Sequence, residues 1–84
     1  MADPRPKSYE EMLALWRSKL REARDQYAAA VERYQQVSRD YKAGLFVPPD
    51  GWLALSKAQR NESMALKEYL RVAKIFSDLL LRGR

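Results

Sequence analysis

Cysteine and histidine are both missing from this 84-residue chain. Without thiols there is no disulfide framework, no thiolate metal site and no thiol nucleophile. Without imidazole the commonest metal ligand and the usual general base near neutral pH are gone. Glycine occurs only 3 times and never in a cluster. No P-loop, dinucleotide fingerprint, nucleophile elbow or EF-hand is therefore written here. No unbroken apolar run approaches the roughly 20 residues that a membrane span needs. The first residues, Met1-Ala2-Asp3-Pro4-Arg5, lack the apolar stretch of a secretory signal. The expectation is a cytoplasmic protein with no membrane span and no cofactor, signal-less export being left open.

What is present is a mixed, charged, half-apolar composition. Lys and Arg number 16 against 11 Asp and Glu, a net charge of +5, and 46% of residues are hydrophobic. That is too apolar for a disordered tail. The length allows one domain.

Residues 1–7, with two prolines and no periodicity, read as a flexible lead-in to a single domain over 8–84. Ser8-Tyr9-Glu10-Glu11 reads as a capping box that opens a helix. No Pro or Gly follows until Gly44, so helix 1 is expected over about 8–43, roughly 54 Å long. Arg39 and Lys42 suit its C-terminal end, and Gly44 suits a left-handed cap. Pro48 and Pro49 stop the first helix, placing the turn at 44–50. Asp50 is the expected N-cap of helix 2, over about 51–82, with Gly83 at its C-terminal cap. Ser56 offers a second cap, so residues 51–55 could instead form a separate turn; one continuous helix is preferred.

In helix 1 the apolar positions 9, 13, 16, 20, 23, 27, 30, 34, 37 and 41 alternate by 4 and 3 without a miss. This is a heptad seam. In helix 2 the matching seam is expected at 52, 55, 59, 62, 66, 69, 73, 76 and 80. Folding at residues 46–47 sets Ala23 against Tyr69, Tyr27 against Leu66 and Tyr41 against Trp52. Large residues then meet small ones, as close packing requires. Gln59 and Glu62 make the seam polar beside Tyr34. A structural hydrogen bond from Tyr34 to the Glu62 carboxylate is the expected use; an acid in an aromatic pocket is the catalytic alternative.

Between Leu66 and Leu81, 10 of 16 residues are apolar, more than one helix can cover. The expected fold class is therefore all-α, an antiparallel two-helix coiled-coil hairpin that dimerises into a four-helix bundle. The residues expected to carry association are Leu15, Trp16, Leu70, Val72, Ile75, Phe76, Leu79 and Leu80. The loop residues Leu45, Phe46 and Val47 are expected to seal the turn end; an exposed docking knob is their other use.

Charge is sorted between the helices. Lys57, Arg60, Lys67, Arg71 and Lys74 form a basic row along about 26 Å of helix 2. The outer row of helix 1, Glu11, Asp25 and Glu32, is acidic and closes at Arg39. Solvated pairs such as Arg21–Asp25 and Lys74–Asp78 are one use of these charges. Stacking of hairpins, basic back to acidic front, is a second, and a phosphate-binding stripe is a third.

Gly51-Trp52 runs in the reverse order to the Trp-x-Gly turn of WXG-type hairpins. Pro48-Pro49-Asp50 departs from the Pro-x-Asp/Asn-Pro turn of type III secretion needle subunits, so neither family is assigned. The reading is a non-catalytic hairpin that acts by self-association and protein–protein contact, as scaffold, adaptor or assembly subunit. Its partner is a second copy, a dimer being favoured, or another protein. The alternatives are nucleic-acid binding through the basic row of helix 2 and a subunit of a helical filament.

Overall fold

The computed structural model describes residues 8–83. The lead-in expected at 1–7 lies outside the described residues. Two α-helices, α1 (Tyr9–Lys42) and α2 (Asp50–Arg82), pack against each other as an antiparallel hairpin. The molecule measures 60 × 29 × 13 Å, two helices wide and one helix thick.

Local chemistry sets the ends of α1. The Ser8 hydroxyl accepts from the Glu11 amide at 3.3 Å and donates to the Glu11 carboxylate at 3.3 Å. Glu11 thus answers the cap through the Ser8 side chain rather than the backbone amide of the usual capping box. At the other end Gly44 takes a left-handed φ of 72°. Its amide reaches the Tyr41 carbonyl at 3.1 Å, and the Leu45 amide reaches Asp40 at 3.0 Å. These are the two bonds of a Schellman motif, and they satisfy carbonyls that the helix end leaves open.

The start of α2 differs from expectation by one residue. Pro49, not Asp50, is the N-cap, and no side chain caps this end. The Asp50 amide bonds to the Val47 carbonyl at 2.9 Å, which closes the turn and draws Asp50 into the first helical position. Its carboxylate then acts only through its charge at the positive end of the helix. The helix passes through Ser56 without a break. At its far end the Tyr9 hydroxyl donates to the Leu79 carbonyl at 2.8 Å, tying the start of α1 to the end of α2.

The α1 seam follows the expected heptad, with Ala23 and Val37 buried. The α2 seam does not. Its most buried positions are Gly51, Ala58 and Val72, and the half-buried 55, 62, 65, 69, 76 and 79 complete a line with them; 54, 56, 66, 73 and 75 are half-buried on either side of it. The line is a heptad too, but one of its two rows has moved back by one residue. Ala58 and Val72 occupy the interface at 4% and 3% exposure, while Trp52 stands 60% exposed and Gln59 and Leu80 face out. The physical reason is bulk. A row of Gly51, Ala58, Ala65 and Val72 lets the helix axes approach, whereas a row of Trp52, Gln59 and Leu66 would hold them apart and bury an amide. Gly51 makes the point locally, since a β-carbon there would lie 2.6 Å from that of Phe46 and 3.0 Å from the Tyr41 ring. Partners shift accordingly. Tyr27 stacks on Tyr69 with ring centroids 6.0 Å apart, and Ala23 lies beside Val72.

Two adjacent substitutions test this register. Ala58→Glu should destabilise the hairpin by more than about 2 kcal/mol, because it forces a charge into the contact line. Gln59→Glu should stay within about 0.5 kcal/mol of the wild type. Denaturant melts followed by circular dichroism measure both, and equal effects would refute the register.

Candidate functional site

The seam between the two helices opens along two edges, one on each broad face of the slab, and the flanking residues divide these edges by chemistry. Along the first edge, a shallow hollow of about 170 Å³ is lined by Trp16, Lys19, Glu22 and Gln26 of α1 and by Glu68 and Arg71 of α2. Cations and carboxylates alternate there. The Arg71 guanidinium grips Glu68 with two hydrogen bonds, of 3.0 and 2.6 Å. That hydrogen bond holds the Glu68 carboxyl below its ordinary value against the opposing effect of lost hydration, with lesser help from the positive charges of Arg71 and Lys19. Lys19 also lies 5.5 Å from the Trp16 ring centre.

Along the second edge the charge at the open end is positive. Arg17, Arg21 and Arg24 line a hollow with Leu20 and Tyr69. Arg17 sits over the Phe76 ring at 5.8 Å, a cation–π contact. Arg24 reaches Asp25 at 3.8 Å. This arginine group escapes a reading that follows only apolar rows, although the spacing of 17, 21 and 24 was there to be read. Further along the same edge Tyr34, Gln59 and Glu62 line a hollow of about 250 Å³ with Ser63 and Leu66. The expected neighbours therefore meet. Among the described residues, however, no hydrogen bond joins Tyr34 to Glu62. Glu62 is only half-buried and Gln59 is exposed, so water reaches both.

The eight residues expected to carry association do not form one patch. Val72 is closed inside the hairpin's own seam, and Trp16, Phe76 and Leu79 are half-buried in it. Leu15, 40% exposed, and the half-buried Ile75 lie toward the first edge, one helical turn from Lys19 and Arg71 respectively. Leu70 and Leu80, exposed at 58% and 44%, lie toward the second.

The basic row is also altered. Lys57, Arg60, Lys67 and Lys74 are exposed along α2, but Arg71 turns to Glu68. The acidic row Glu11, Asp25 and Glu32 is exposed on α1, as is Arg39. The expected pairs Arg21–Asp25 and Lys74–Asp78 give way, among the described residues, to Arg24–Asp25 and Arg71–Glu68. Exposed pairs differ little in energy, so local rotamers choose between them. At the turn, Phe46 alone does the sealing, against Gly51 and Tyr41. Leu45 and Val47 are 71% and 74% exposed.

The Glu68–Arg71 pair has a titration signature. A carboxyl held low when folded contributes its stability above the ordinary carboxylate range and loses it as the pH falls through the lowered value. Arg71→Ala should raise the Glu68 midpoint toward the ordinary value in an NMR titration, and an unmoved midpoint would dissolve the pair.

No protein-family model, no curated protein and no solved structure matches this chain.

Proposed function

We propose that this chain works through contact with other protein surfaces, without catalysis, and first of all with a second copy of itself. The observation that supports this is the poverty of the core. The buried hydrophobic side chains among the described residues are Ala23, Val37, Ala58 and Val72, while Leu53, Leu70 and Leu81 are each more than half exposed. A slab 13 Å thin has no third layer to cover them. The first edge suits a second copy. Leu15 and Ile75 give it an apolar centre at the open end, and Lys19, Glu22, Glu68 and Arg71 border that centre on its turn side with both signs of charge. A two-fold axis can then bring cation to carboxylate from each side. The product is a four-helix bundle, and the hairpin serves as an assembly subunit or scaffold.

Sedimentation equilibrium tests the proposal. The full chain should run at twice its 9.8 kDa mass. Leu15→Glu with Ile75→Gln should return it to single-chain mass with its helical signal kept. Leu15→Glu alone, on an exposed position, repeats the test should the double variant unfold. A wild-type particle of single-chain mass that melts cooperatively would refute the dimer. A large and polydisperse mass would instead favour filament growth by stacking the basic side of α2 on the acidic row of α1.

A second reading rests on the exposed cations Lys57, Arg60, Lys67 and Lys74. Four phosphate contacts by this row would make duplex DNA binding fall steeply with salt, with a log–log slope of about −3.6. Reversing Lys67 and Lys74 to Glu should abolish such binding, and retention measured by fluorescence anisotropy would remove the row from the interface.

A further inference from the structure

The displacement of the α2 seam leaves a second heptad beside the first. Positions 52, 56, 59, 63, 66, 70, 73, 77 and 80 again alternate by 4 and 3, and not one of them is charged. Trp52, Leu66, Leu70 and Leu80 supply the apolar bulk, and of these four Leu66 alone is half-buried, the others being exposed. Ser56, Ser63 and Ser77 lie between them, small enough to admit a neighbouring backbone. The strip extends for about 42 Å along the second edge.

Its borders are predominantly cationic, with Glu62 the acid beside its middle. On the outer side of α2 the next row holds the exposed Arg60, Lys67 and Lys74. Across the hairpin, beside the open-end half of the strip, the wall is Arg17, Arg21 and Arg24. Glu10 is the one acid in the row that holds Arg17 and Arg24. A heptad spacing kept over the whole strip suits a helix, whose knobs need regular holes; a lipid surface needs no such register. Two cationic borders suit carboxylates. They oppose a second copy, because an antiparallel pair over this strip sets Arg60 and Lys74 of one chain against Lys74 and Arg60 of the other, and a parallel pair sets them against the arginine wall.

We propose that the uncharged strip of α2 is the docking site for an amphipathic helix of another protein, one with an apolar seam and acidic flanks, which joins the hairpin as a third strand. The site lies on the edge opposite the self-association centre and does not depend on it.

The test uses the full chain and two synthetic peptides of about four heptads, each with Leu in the seam, one with Glu and one with Lys on the flanks. Isothermal titration should show the Glu peptide binding at least about tenfold more tightly than the Lys peptide, with affinity falling as salt rises. Arg60→Glu, Lys67→Glu and Lys74→Glu together should reverse the preference. Leu70→Gln with Leu80→Gln, both on exposed positions, should weaken the Glu peptide while the melting curve holds. Equal binding of both peptides, or binding of neither, overturns the proposal. So does tighter binding to anionic phosphatidylglycerol vesicles or to duplex DNA than to the Glu peptide. Sedimentation of the triple variant separates this result from the dimer, since a mass unchanged from wild type leaves self-association standing whatever the peptides do.

Discussion

Close approach of α1 and α2 is possible only where the residues between them are small. Ala23 and Val37 on one helix and Gly51, Ala58 and Val72 on the other form the tightest line of the hairpin. Everything larger is displaced around that line. Tyr27 and Tyr69 lie flat against each other to fit, Phe46 folds onto Gly51, and Trp52 is turned outward. A seam of alanine and valine brings the backbones together but covers little apolar surface. The same choice that closes the hairpin thus leaves its leucines uncovered, and the proposed associations follow from that imbalance.

The edges then acquire different chemistry because the flanking positions differ. The first edge holds Lys19 and Arg71 together with Glu22 and Glu68, and it neutralises itself in part through the Glu68–Arg71 bonds. The second carries Arg17, Arg21 and Arg24 beside aromatic rings. A surface with both signs in balance can accept its own copy, whereas one on which cations predominate calls for the opposite sign in its partner. The net charge of +5 is in this sense an average over unlike edges. Its location carries more information than its total.

Much of this was legible in the order of residues. The two helices, the break between Gly44 and Asp50, the Ser8 cap and the α1 heptad all follow from local rules, because capping, backbone freedom and helical period act within a few residues. The meeting of Tyr34 with Gln59 and Glu62 was also legible, from the fold-back register. The α2 seam was not. In α2 two heptads run side by side, one at 51, 55 and 58, the other at 52, 56 and 59, and the row 52, 59, 66, 73 and 80 has the greater apolar bulk. Hydrophobicity alone favours that bulkier row. Packing favours the smaller one, and hydrophobic pattern contains no measure of how near the axes can come.

What the chain determined by itself is thus the number of helices, their ends and the apolar face of α1, since each depends on neighbours three or four positions away. What only the tertiary structure decided is which of two candidate faces α2 turns inward, and so which leucines remain outside and which charges border them. That choice needed α1 in place. The fit of Ala58 and Val72 against a second helix is a property of two surfaces together and of neither one alone.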